Sequence, residues 1–166
     1  MSQMMKVARV RDAITKTTKL LARDKVKVYQ RGAQPLVMYD RAGNVEYINL
    51  PMIPDEPEQA LLDAVQGFLD HEVAHVLFTD KKAEYAGLER ARVAGLPLDA
   101  VASMSNIFED VRIEKKMRSA YQGSARNLTN AMSFVLERVV IPRLNEASKV
   151  SDPDQKAGQR STAAMM

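Results

Sequence analysis

The sequence predicts a mostly helical α+β domain in which a small β-hairpin precedes a long amphipathic helix. Three observations predict it. Apolar residues recur at three- and four-residue spacing from about residue 58 to 147. Strand-like alternation is confined to residues 26–50. The length, 166 residues with 46% hydrophobic and 27% charged, suits one folded domain and argues against global disorder. That domain is expected over 1–147. Residues 148–166 have almost nothing to bury and read as a polar tail or the start of a linker.

Each element has its own warrant. Over 4–23, Val7, Val10, Ile14, Thr18 and Leu21 form one helical stripe, with basic residues elsewhere. Val26 and Val28 alternate with Lys25, Lys27 and Gln30 until Gly32 and Pro35 break the strand. Leu36–Tyr39 and Val45–Leu50 flank a short loop containing Gly43, the pattern of a hairpin. Pro51, Pro54 and Pro57 stiffen the next loop. A long helix begins at Glu58 and ends near Thr79–Asp80, with acids near its start suiting the dipole. A shorter helix over 82–93 closes at Gly95 and Pro97. Asp99 can cap a third, running to about Ser119, with Val101, Met104, Ile107, Phe108, Val111 and Ile113 on its apolar side. A last helix spans about 125–147, and Pro142 should bend or restart it.

Composition removes several function classes. With no cysteine there is no disulfide framework, thiolate metal site or cysteine nucleophile. Aromatics are 5% and tryptophan is absent, so a base-stacking platform is poorly supplied and a nucleic-acid partner is not expected. No apolar run is long enough to span a bilayer, and no secretory signal is visible behind Met1–Val10, so the cytoplasm is the expected location. Residues 1–31 carry nine basic and two acidic side chains, whereas 52–80 carry seven acids and no Lys or Arg. The two stretches could attract each other in the fold, or the first could face an acidic partner.

The chemistry is concentrated in His71-Glu72-Val73-Ala74-His75, which contains both histidines of the chain. On a helix, positions i and i+4 lie one turn apart on one face, so both imidazoles can reach one metal ion. Glu72 is rotated about 100° from His71 and can take a proton from water without being a ligand. Zinc lowers the pKa of a bound water from about 15.7 to about 7. Gly67, one turn before His71, leaves that face open to approach.

A catalytic zinc site has three protein ligands and an open position. With no further His and no Cys, the third must be a carboxylate, on a second helix. The best candidate is Glu109, within Asn106-Ile-Phe-Glu109-Asp110-Val-Arg112-Ile-Glu114, where its length suits the gap between packed helices. Asp110 is the alternative ligand, or accepts from an imidazole N–H on the side away from the metal and so orients the ring. Arg112 and Glu114 read as an ion pair. Strand 45–50 could serve as an edge that pairs with an extended substrate, and Tyr47 or Tyr121 could polarise a carbonyl. The small hairpin or sheet is expected to pack on the motif helix. The expected activity is zinc-dependent peptide-bond hydrolysis on a protein or peptide substrate, with Glu72 as general base. The alternative is a metal-stabilised interaction domain that does not hydrolyse.

Together, His71-Glu72-Val-Ala-His75, Thr79-Asp80, Asn106 to Glu114 and Tyr121-Gln-Gly123 resemble the N-terminal region of CobT-type proteins, over about residues 60–125. The resemblance implies a zincin-like metallopeptidase domain, usually followed by an acidic linker and a von Willebrand A domain. It also implies a MoxR/CobS-type AAA+ ATPase as partner.

Overall fold

The computed structural model describes residues 8, 11, 12, 14–16, 18 and 26–149. It is α+β and mostly helical, with one small sheet near the N-terminal end. The described positions of the first predicted helix are helical, and Ile14 and Thr18 are buried as its stripe requires. Val7, Val10 and Leu21 of that stripe, and the tail beyond residue 149, lie outside the described residues. Arg11 reaches Asp55 at 3.0 Å and the Ile53 carbonyl, so the basic and acidic stretches do meet here.

Three strands form the sheet: β1 (Lys27–Gln30), β2 (Leu36–Tyr39) and β3 (Val45–Leu50). The expected hairpin is β2–β3, antiparallel, with Val37 opposite Ile48. Its loop is built by Asp40, whose Oδ1 accepts from the backbone N–H groups of Ala42 and Asn44, both at 2.8 Å. Gly43 adopts φ +79°, which a side chain would disfavour. β1 then adds parallel to β3, giving the order β1-β3-β2. This corrects the edge-strand expectation for 45–50: β3 is central and bonded on both sides, so it has no free edge for a substrate. Among the described residues β2 pairs on one side only, and its register shifts between Met38 and Tyr39.

Five α-helices follow: α1 (Gln59–Phe78), α2 (Lys81–Val93), α3 (Leu98–Ala120), α4 (Ser124–Val135) and α5 (Ile141–Lys149). Their order and bounds fall close to the sequence expectation. Capping differs in detail. Glu58 stands at the α1 N-cap without a cap bond and pairs instead with Arg138, and no acid lies in the first turn. Pro97, not Asp99, occupies the α3 N-cap position. Asp80 caps α2, accepting from the Ala83 N–H at 3.0 Å. Pro142 restarts the last helix as expected. It cannot donate to the carbonyl one turn back. A π-helical turn, Leu136–Val140, precedes it, and the Ile141 N–H reaches Leu136 O.

α1 is the central element. Val65, Leu69, Val73 and Ala74 join Ile48, Leu50 and Ile53 from the sheet side, Ile113 and Met117 from α3, and Leu128 from α4 in one core. The face opened by Gly67 is taken by α4: a Cβ at Gly67 would lie 2.0 Å from the Asn127 carbonyl oxygen. Asn127 also donates to buried Asp70 at 2.9 Å, so the close approach is locked by a hydrogen bond. The apolar side expected for α3 is only partly used. Ile113 and Met117 are buried, but Met104, Ile107, Phe108 and Val111 are exposed, Phe108 by 66%.

Candidate metal centre

Two ladders with a one-turn step face each other across α1 and α3. On α1 they are His71, His75 and, at its C-cap, Thr79; on α3, Asn106, Asp110, Glu114 and Arg118. Residues four apart share a helix face, so each ladder presents one row of side chains. Asp110 Oδ1 lies 3.2 Å from His75 Nε2 and 3.8 Å from His71 Nε2. All three atoms fall within 4.8 Å of one another. Ligands around a tetrahedral zinc, at about 2.0–2.2 Å, stand roughly 3.3–3.6 Å apart. The observed separations bracket that edge.

The donor set fits a divalent transition metal. Two imidazoles and a carboxylate suit zinc and its first-row neighbours. Asp110 Oδ1 is buried and has no hydrogen-bond partner, although an imidazole nitrogen is 3.2 Å away. The contact is close but not aligned as a hydrogen bond. An oxygen stranded in this way is costly unless a cation satisfies it. The other oxygen, Oδ2, accepts from Asn106 Nδ2 at 3.2 Å, which orients the carboxylate.

Both imidazoles are held from behind. His71 Nδ1 meets Glu114 Oε1 at 3.2 Å, and His75 Nδ1 meets Thr79 Oγ1 at 3.1 Å. Each contact leaves Nε2 facing the convergence point, the arrangement by which outer partners set a ligand's tautomer. Burial pulls the His71 pKa down, but the Glu114 bond and the charges of Glu72, Asp110 and Glu114 outweigh it, and the net direction is up. Glu114 in turn is held below its usual range, chiefly by its bond to His71.

Glu109 does not join the convergence. Its carboxylate is gripped through both oxygens by Arg112, each bond 2.7 Å, and Arg112 also donates to the Phe78 carbonyl at 2.6 Å. Arg112 holds the carboxyl down at about 2. The acid that stands with the two imidazoles is instead Asp110, one residue and about 100° further round the helix than the expected Glu109. Arg112 and Glu114 do not pair with each other as expected. Arg112 takes Glu109, whereas Glu114 takes His71 and Arg118.

Glu72 is 4% exposed and has no hydrogen bond among the described residues. Burial raises its pKa to about 7, with the Asp110 charge adding and His71 opposing. Tyr39, which the sequence reading missed, has a buried hydroxyl with no well-aligned hydrogen bond among the described residues, although Thr79 stands close enough to oppose its shift. Burial first, and the Glu72 charge second, push that phenol well above its usual range, so it stays protonated. The β2 register shift falls at Tyr39, and such irregularities re-aim side chains beside functional sites. Tyr47 instead packs edge-on against Tyr29, with centroids 5.3 Å apart, and lies on the sheet face opposite buried Ile48. Tyr121 stands at the α3 C-cap.

The family model for the cobalamin biosynthesis protein CobT matches residues 5–157. The chain belongs to the CobT family. The match spans both ladders, the sheet and every described helix of this CobT-family chain. No curated protein and no solved structure matches it. No helix among the described residues is long and apolar enough to cross a membrane.

Proposed function

We propose that this CobT-family chain is a zinc-dependent, zincin-like peptidase domain, with His71, His75 and Asp110 as the metal ligands. The observation that carries the reading is Glu72. A purely structural metal site needs no base, yet a carboxylate only 4% exposed, with no side-chain hydrogen bond among the described residues, stands beside the convergence point. Burying such a group is costly unless it is used. A bound zinc ion supplies Lewis acidity and acidifies water at this point. Glu72 accepts the proton as the water oxygen attacks the peptide carbonyl carbon. It then returns that proton to the departing amide nitrogen as the C–N bond breaks. The Tyr39 O–H, buried near Glu72 with Thr79 as its nearest polar neighbour, is the donor this reading assigns to the oxyanion that develops. β2, with its unpaired edge, is the strand able to align an extended peptide.

A second reading rests on the family description and on the uncovered apolar face of α3. In it the chain works in cobalamin biosynthesis as a metal-stabilised interaction domain, with a MoxR/CobS-type AAA+ ATPase as partner. One experiment separates the two. Metal content and hydrolysis of a peptide library are measured for the wild type, Glu72→Gln and His71→Ala. The peptidase reading expects about one zinc per chain in the first two and hydrolysis in the wild type alone. Zinc without hydrolysis in the wild type favours the interaction domain. A wild type that stays metal-free after zinc reconstitution refutes both.

A further inference from the structure

We propose that the outward face of α3 is a self-association surface, on which a second copy of this chain docks antiparallel about a two-fold axis between Ile107 and Phe108. Met104, Ile107, Phe108 and Val111 recur at i, i+3, i+4 and i+7, so they form one stripe along the helix. Each is between 48% and 66% exposed, whereas Ile113 and Met117, on the far side of the helix, are buried. No described residue covers the stripe. Single exposed apolar side chains are ordinary, but four in contact along one helix face mark a protein-contact surface.

Symmetry and charge select the occupant. The stripe reads the same in both directions, with steps of three, one and three residues. A two-fold axis makes residue i meet j while j meets i. Centred between Ile107 and Phe108, it sets Ile107 against Phe108 of the second copy and Met104 against Val111, so each apolar residue meets another. Sliding the second copy by two turns would instead set Ile107 and Phe108 against Lys115 and Glu114. Charge fixes the direction. Glu109 and Glu114 are already paired with Arg112 and Arg118 of the same helix, and Asp110 is turned to the histidines. The charges of α3 left without an ion pair among the described residues are Asp99 near one end and Lys115 and Lys116 near the other. In this register Asp99 comes level with Lys116 of the second copy, once at each end of the contact. A parallel pair would bring Asp99 to Asp99 and lysine to lysine, and like charges set together are unfavourable. The chain's own residues 150–166 are a poor substitute, with Val150, Met165 and Met166 as their only large apolar side chains.

The test is sedimentation equilibrium of the full chain over a concentration series, for wild type, Phe108→Lys and Val93→Lys. Val93 is 75% exposed and lies outside the stripe, so it controls for the loss of any exposed apolar residue. Wild type and Val93→Lys should pass from monomer to dimer with dissociation constants within about threefold of each other. Phe108→Lys should dissociate at least about 30-fold more readily, the effect of losing a central aromatic anchor. Circular dichroism should show its helix content unchanged, because the side chain it replaces is exposed. The chain has no cysteine, so disulfide mapping reads the register without background. An oxidised mixture of Met104→Cys and Val111→Cys chains should cross-link one to the other. Met104→Cys alone should not, since its two copies stand about 10 Å apart along the axis, beyond the reach of a disulfide. A wild type that stays monomeric at every concentration overturns the proposal and leaves the face to a different protein or to the chain's own ends. So does a Phe108→Lys chain that dimerises as the wild type does, or Met104→Cys chains that cross-link to themselves. Neither measurement uses metal or hydrolysis, so the outcome is independent of both readings above.

Discussion

Replacing Glu72 by glutamine should stabilise the metal-free protein by an amount that grows as pH rises from about 4.5 to about 7 and is complete above neutral pH. The carboxyl is 4% exposed, and burial is the main cause that lifts its pKa from 4.5 to about 7. Between those values the folded state binds more protons than the unfolded state, so stability falls as pH rises through the window. At pH 8.5 the folded protein must hold the ionised form. The cost is about 3 kcal/mol, from the rise to about 7 at about 1.36 kcal/mol per tenfold change in proton affinity. Glutamine is neutral at every pH and escapes that cost, while at pH 5 the protonated acid and the amide are close equivalents. Urea unfolding with a chelator, at pH 5 and pH 8.5, reads the difference directly. The expected result is a gain of no more than about 1 kcal/mol at pH 5 and of about 3 kcal/mol for Glu72→Gln at pH 8.5. Zinc should erase the gain, because a cation beside Glu72 favours its charged form. An equal gain at both pH values, or none at either, would refute the claim that burial of this carboxylate opposes its ionisation.

Three further outcomes follow from the geometry. Asp110→Ala should weaken zinc binding by more than about 100-fold and Glu109→Ala by no more than about 100-fold, read by chelator competition; the opposite order would return the third arm to Glu109. Gly67→Ala places a carbon 2.0 Å from a backbone oxygen of α4, so it should destabilise by about 3 kcal/mol or more in thermal melts, and a wild-type melting point would contradict the packing. Tyr39→Phe should keep both fold and metal, since it removes a buried hydroxyl with no well-aligned hydrogen bond, and should lower kcat by about 100-fold on any peptide the wild type cleaves; unchanged kcat would remove Tyr39 from the site.

Much of the helical layer was legible because it is local. α1 reads from its apolar spacing and ends where Thr79 and Asp80 interrupt it. The hairpin reads from Asp40 to Asn44, whose side chains and glycine build the turn within five residues. The parallel addition of β1 did not read, because nothing in four residues says which side of a hairpin they will join. Nor did the exposure of Met104, Ile107, Phe108 and Val111: the spacing of α3 marks an apolar face, but α1 covers only the neighbouring Ile113–Met117 side. The choice between Glu109 and Asp110 had a faint signal. Asp110 stands seven residues before buried Met117, and Glu109 seven before Lys116, so Asp110 lies on the inward side.

The sequence by itself determined the donors: two imidazoles one turn apart, a glutamate beside them, and a second helix rich in acids. Those are properties of a single helix at 3.6 residues per turn, and they need no partner. Only the tertiary structure decided which acid meets the imidazoles, which acid stands behind one of them, and which tyrosine is buried near Glu72. A 100° rotation separates Glu109 from Asp110. The rotation of α3 against α1 is set by the packing of Ile113 and Met117 into the core, far along the chain from the histidines. Tyr39 arrives from a strand whose place depends on β3 lying against α1. Its burial is therefore set by the packing of three elements, not by any local pattern of residues.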